Sequence, residues 1–505
     1  MPPKPSFLKN KPKKGPSKQP IYRTADDFQE AADLEEETGG KWRAGDKAKS
    51  ARAFLRAIDI YNKGLEKFPN DADLAYNKAR LEFELSQQPA LVAKLPNGLL
   101  QLLQQALLSH RHALRLNEEN TDVLFNSAQV MITIAETMSE SPSTTGAFTD
   151  NPVSLLQEAL ELLSSCFSRQ EMLLEEQRMQ FTDNQEGGVS LENKTSAGAA
   201  QPEAEASSDD EEGEQQSATI QMPTTPMDLV DTARSSLTAL TLLVSLDGPS
   251  NLPTLASMAQ ALTDTKIPFY VSQLEQSEQA EVKEEVDLER AEFVAALAIA
   301  DCRAGSITID DFLSRLQVFE GLDLNTNVGA MCIYADALVE FVSNLLLSRI
   351  VPKAHNPAQI CWTQLSRAQD LYGKAVKINT EEAQERKAQI YEARGDVEML
   401  RFRLATSSGE SLSASTKASA PTLIKNAQTY YRGATGHYRV TGDEPAAVKA
   451  EIRGLVAAVV GGMASEMAKE PLLAPLLQKG TDAHAVMADM MGEGLLGEDF
   501  EQIIA

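Results

Sequence analysis

The residues best able to do chemistry are few and scattered. Histidine occurs 5 times and cysteine 4 times in 505 residues. Cys166, Cys302, Cys332 and Cys361 lie in separate apolar stretches, and none stands at metal-ligand spacing from another cysteine or histidine. Such cysteines read as buried core thiols in a reducing compartment. His110 and His112 are close in sequence but point to different faces of a helix. No nucleophile elbow, phosphate loop, His-Glu-x-x-His or paired-cysteine motif occurs. The chain is therefore expected not to be an enzyme and to need no cofactor or metal. One tract does carry chemical potential: Ser207 and Ser208 open the run Ser207-Ser208-Asp209-Asp210-Glu211-Glu212. Each serine has an acid three residues on, the pattern of an acid-directed kinase site, where phosphate would add about −1.5 to −2 charge. The alternative reading is an unmodified, solubilising loop.

Helices must carry the rest. Ala57, Tyr61 and Gly64, closed by Pro69, form a small–aromatic–small set at offsets of four and three. The sets Ala106/His110/Ala113, Ala368/Tyr372/Ala375 and Ala427/Tyr431/Ala434 repeat it. These offsets put each set on one helical face, where small residues let two helices approach and the ring fills the gap. Second segments recur as well: Tyr76-Asn77-x-Ala79 and Phe125-Asn126-x-Ala128 share aromatic-Asn-x-Ala. Asn70-Asp71 and Asn120-Thr121 can cap the helices that carry them, with Asp73 and Asp122 near the positive end. Gly395-Asp396, after Tyr391, is expected to stop a helix, as are Gly45-Asp46 and Gly442-Asp443.

These motifs resemble the tetratricopeptide repeat (TPR), over roughly residues 24–130 and 365–440. Its first helix carries aromatic-Asn-x-Gly/Ala and ends near Gly-Asp; its second carries Ala-x3-aromatic-x2-Ala, often followed by Pro. His110 departs by standing where an aromatic is usual, and residues 88–97 lengthen one connection. The resemblance implies an all-α, right-handed TPR-like solenoid of about seven to eight helical hairpins. It also implies that Asn77 and Asn126 face a concave groove and bond the backbone of an extended peptide, against local helix capping as the plain reading. TPR domains that hold the carboxylate tail of heat-shock chaperones need a basic preceding helix. Here residues 26–33 carry Asp26, Asp27, Glu30 and Asp33, so that ligand is expected to be repelled.

The charge is −26, from 73 acidic and 47 basic residues, with 42% hydrophobic residues to build a core. A negative surface repels phosphates, so direct nucleic-acid binding is not expected, whereas a basic protein would be attracted. The longest uninterrupted apolar stretches are too short for a bilayer span, and no membrane association is expected. Residues 1–23 read as a disordered basic tail in which Lys11-Pro12-Lys13-Lys14 is either a nuclear-import signal or a solvated arm. Residues 24–182 read as N-terminal hairpins, 183–224 as a disordered acidic insert, and 225–500 as further hairpins ending in a fraying terminus around Gly492, Gly494 and Gly497. The expected function is a scaffold or dedicated chaperone of the cytoplasm or nucleus for a basic protein, such as a histone or ribosomal protein. Asp209, Asp210, Glu211 and Glu212 would steer that client. The layout is similar to that of the nuclear autoantigenic sperm protein family of histone chaperones. The competing expectation is an adaptor subunit of a protein-modifying or ubiquitin-ligase assembly.

Overall fold

The computed structural model describes residues 22–96, 98–140, 151–186, 223–246, 251–347, 349–350, 356–407, 412–462, 475 and 478–497. Among these residues every regular element is helical. The chain divides into two compact units, Met1–Asn117 and Glu118–Ala505.

In the first unit, α1 (Ala25–Trp42) pairs with α2 (Lys47–Lys67). Next, α3 (Ala72–Ser86) pairs with α5 (Gly98–Leu116), and the short α4 (Pro89–Val92) lies in the lengthened connection. Side-chain caps set the starts. Thr24 Oγ1 accepts from Asp27 N at 3.2 Å while Asp27 Oδ2 accepts from Thr24 N at 3.0 Å, a reciprocal box. Asp46 and Asp71 cap α2 and α3 through Lys49 N and Leu74 N. The core gathers Phe28, Phe54, Ala57, Tyr61, Leu74, Leu81 and Leu85. Tyr61 is fully buried, as its place in the small–aromatic–small set requires. His110 is also fully buried; its Nδ1–H donates to Ala106 O at 2.8 Å, and burial pushes its pKa down to about 4, so the ring stays neutral.

Three features of this unit bear on what the sequence led one to expect. Tyr22 and Arg23 do not belong to a structureless tail: the Tyr22 ring packs 4.9 Å from that of Phe28, and Arg23 N donates to Asp27. Asp46 ends a turn after α1, as expected of Gly45-Asp46. Gly39 is needed because a Cβ there would lie 2.7 Å from the Phe54 ring.

The second unit pairs α6 (Thr121–Glu140) with α7 (Pro152–Glu186), and α8 (Pro226–Leu246) with α11 (Gln276–Arg303). Between the latter run α9 (Leu252–Ala261) and α10 (Ile267–Val271), joined by a π-turn, Leu262–Lys266, where Ile267 N bonds Leu262 O. Pro268 supplies no N–H, which explains the slip in the ladder. Next come α12 (Ile309–Arg315), α13 (Val328–Leu346) paired with α14 (Pro357–Ala375), and α15 (Glu381–Glu385). They are followed by α16 (Lys387–Ser407), α17 (Ala414–Ala418), α18 (Ala420–Thr441), α19 (Glu444–Gly462) and α20 (Thr481–Gly492). α16 pairs with α18, and α19 packs against both α18 and α20. α7 also packs on α8, so the helices on either side of the acidic segment belong to one unit. Residues 183–186, expected in that segment, instead complete α7. Residues 187–222, with Ser207, Ser208, Asp209, Asp210, Glu211 and Glu212, lie outside the described residues, as do Lys11–Lys14.

Two expectations need correcting. Gly395-Asp396 does not end a helix; it sits inside α16. Gly395 is there because the Tyr431 ring of α18 lies against it, and a Cβ would fall 2.5 Å from that ring. The stretch from Gly492 to Gly497 does not fray either. Leu495 and Leu496 are buried, Gly494 adopts φ +76, and Arg403 Nη1 donates to Gly494 O at 2.6 Å. By length and composition α8 and α13 could cross a bilayer, but most of each apolar window is buried against other helices, as in core helices.

Candidate functional site

The second-helix tyrosines each carry a hydroxyl that must find a partner once the ring is buried. Tyr372 of α14 donates to Asp336 of α13, and Tyr431 of α18 donates to Asp396 of α16 at 2.7 Å. Tyr438 donates to Glu392 at 2.8 Å, one turn before Asp396 on α16. In the first unit Tyr61 donates to Glu36 at 2.8 Å. The apolar pairing of hairpin helices thus fixes a carboxylate on each first helix beside its tyrosine.

In the second unit these carboxylates stand in a recess with others. Glu289 and Glu292 project from α11, Asp336 and Glu340 from α13, and Glu136 from α6. Glu292, Asp336 and Glu340 are exposed to solvent. Yet Glu292 has its pKa pushed up to about 7, first by the protein around it, then by Glu289, Asp336 and Glu136. Asp336 is pushed up to about 6, again first by desolvation, with Glu340 and Asp396 adding and the Tyr372 hydroxyl and Arg386 opposing. Glu340 is raised by desolvation too, against Arg303 and Arg349. Open area and strong desolvation on the same carboxylates mark a concave wall, where solvent reaches the face but protein closes the flanks. The charge is unbalanced: Arg386 is the cation that opposes both Glu292 and Asp336.

At one edge of the recess a cleft of about 390 Å³ opens between α6, α8 and α11, with Gln129, Glu136, Arg234 and Glu289 in its wall. Its cation is already engaged: Arg234 donates to Glu289 Oε1 at 2.7 Å and pairs with Glu285 at 2.7 Å. At α16 the carboxylates are instead neutralised by Arg453 of α19, which is 3% exposed. Its Nη1 reaches Asp396 at 2.5 Å, its Nη2 meets both oxygens of Glu493 at 2.7 and 2.8 Å, and its Nε lies 3.4 Å from Glu392.

The other sequence candidates fall as follows. Asn77 is half-buried on α3 of the first unit, and Asn126 is half-buried on α6 of the second, beside Phe125 of the cleft wall. All four cysteines are buried, and burial pushes the thiols of Cys166, Cys332 and Cys361 up to about 11, 12 and 12. They are protonated at neutral pH and so are poor nucleophiles. No group of three or more His, Cys, Asp and Glu is placed to hold a metal among the described residues. Glu292, Asp336 and Asp396 were missed by sequence reasoning. A signal for two of them existed: Tyr372 lies 36 residues after Asp336, and Tyr431 lies 35 after Asp396.

The described residues thus define an all-α protein built of packed helical hairpins. No family model matches the chain. UPF0656 protein C926.02 of Schizosaccharomyces pombe is 31% identical over 163 residues, which cover 32% of this chain and 33% of that protein. The chain therefore spans about a third of the length of this curated relative. A solved structure described as a circular tandem repeat protein with novel repeat topology and enhanced subunit contact surfaces is 13% identical. Its likeness covers 93% of this chain and 99% of that one, at a TM-score of 0.25, too low to carry an argument.

Proposed function

We propose that this chain is a non-catalytic scaffold of TPR type that holds a basic protein segment in the recess walled by α6, α11 and α13. The observation that carries the reading is the set Glu292, Asp336 and Glu340, open to solvent yet desolvated, with Arg386 alone to offset the first two. A lysine or arginine from a client such as a histone or ribosomal protein would relieve their mutual repulsion. The overall charge of −26 would speed the encounter, and Asp209, Asp210, Glu211 and Glu212 would add to that steering.

The sign of the pH dependence follows. Glu292 and Asp336 are ionised well above pH 7 and lose their charge as pH falls through about 7 and about 6. Anisotropy of a labelled Lys/Arg-rich peptide on the full chain should therefore show binding about tenfold weaker at pH 5.5 than at pH 8. It should also weaken from 0.1 to 0.5 M salt, as screening shortens the reach of exposed charges. The pair Glu292→Gln with Asp336→Asn should bind weakly at both pH values. Binding indifferent to pH, salt and this pair would overturn the basic-client reading and favour an adaptor with an apolar interface.

A further inference from the structure

In the second unit an apolar groove of about 780 Å³ opens between the end of α16, the start of α18 and the end of α19. Phe402 of α16, Ala420, Pro421 and Ile424 of α18, and Ala458 and Val460 of α19 give it an apolar lining. Thr406 and Gln428 are the polar side chains in its wall, and no residue that lines it is ionisable. Thr406, Pro421 and Gly461 are exposed, so the groove is open to solvent. Gly461 lets α19 close over Ile424, since a Cβ there would fall 3.0 Å from Ile424 Cγ1. A charged segment would lose hydration in this groove and gain no charged partner. Apolar side chains at helical spacing would gain by leaving water.

The chain itself supplies such side chains close by. The described residues stop at Gly497. Three residues earlier, Gly494 O accepts from Arg403 Nη1 at 2.6 Å, and Arg403 is the neighbour in sequence of Phe402 in the groove wall. Residues 498–505, outside the described residues, read Glu-Asp-Phe-Glu-Gln-Ile-Ile-Ala. Phe500, Ile503 and Ile504 stand at offsets of three and four, the spacing of apolar anchors that share one helical face and lie in a groove. A segment of this length reaches about 26 Å extended or about 12 Å as a helix. It starts from a strand already held against α16.

We propose that residues 500–504 dock in this groove, with Phe500, Ile503 and Ile504 set against Phe402, Ile424 and Val460. Docking continues the hold that Arg403 has on Gly494 and Arg453 on Glu493, so that α20 and the segment after it close as one strap. The groove and the acidic recess are lined by different residues, and either proposal can fail without the other.

The test uses the full chain with Phe500→Asp, Ile503→Asp and Ile504→Asp together. Fluorescence of anilinonaphthalene sulfonate, which reports open apolar surface, should rise at least about threefold over wild type while circular dichroism stays the same. An excess of a peptide of residues 497–505 should return the signal to the wild-type level, and the same peptide carrying the three aspartates should not. Thr406→Arg with Pro421→Arg, at exposed positions of the groove wall, should abolish that return. A wild type as bright as the triple variant overturns the proposal. So does a signal that the peptide leaves unchanged, or a return that survives the arginine pair. A larger rise from Leu472→Asp with Leu473→Asp than from the triple change would assign the groove to that segment and overturn it. Wild-type signal per molecule that rises on dilution would assign the groove to a second copy, and overturns it too.

Discussion

Replacing Arg453 by alanine is expected to destabilise the second unit by about 3–5 kcal/mol, the cost of leaving buried charges without their partner. The guanidinium is 3% exposed and serves Asp396, Glu392 and Glu493 together. Its removal strands Asp396, whose carboxyl is already raised by burial and held down chiefly by Arg453. Lysine should rescue only part of the loss, since a point charge cannot reach three carboxylates as the planar fork does. The pH dependence has a definite sign. Without Arg453 the folded-state pKa of Asp396 rises further above its unfolded value, so the native state binds more protons than the unfolded one. The variant should then gain on the wild type as pH falls from 8 toward 5. Urea unfolding at the two pH values measures both quantities. A cost below about 1 kcal/mol, equal at both, would mean that the cluster behaves as a solvated surface pair.

Truncating Tyr431 to alanine should cost a similar amount, about 3–5 kcal/mol, for a different reason. The ring is fully buried between α16 and α18, set against Gly395, with Gly454 of α19 at its Cβ. Tyr431→Phe keeps the ring and loses only the bond to Asp396, so about 1–2 kcal/mol is expected. Gly395→Ala should destabilise the wild type, because its methyl would enter the ring. In the Tyr431→Ala background the same change should cost far less, and a double-mutant cycle would report that coupling. Independent, additive effects would refute the contact.

How much of this was legible depended on range. The small–aromatic–small sets are local, and the burial of Tyr61, Tyr372 and Tyr431 follows from spacing along one helix. Gly442 was legible as a stop because its role is also local: φ is +84, and Asp443 N bonds back to Tyr438 O at 2.9 Å. Gly395-Asp396 carries the same two residues and was misread, because what places them is Tyr431 on another helix. The same holds for the terminal glycine-rich stretch, which looks loose until Arg403 of α16 reaches Gly494 O and Arg453 of α19 reaches Glu493. The recess was illegible for this reason. Glu136, Glu292 and Asp336 are ordinary exposed-face acids in sequence, and only the packing of α6, α11 and α13 brings them within each other's field.

Arg453 also imposes an order on biosynthesis. Asp396 is made 57 residues before it and Glu493 40 residues after it. A nascent chain that has reached α19 therefore holds a guanidinium short of one carboxylate. It also bares the apolar surface that Met490, Leu495 and Leu496 cover in the finished fold. Exposed apolar surface of this kind is what drives aggregation of incomplete chains. The hazard lasts until α20 has been made, and the closing of α20 onto α19 is the step at which protection by a folding helper would count most.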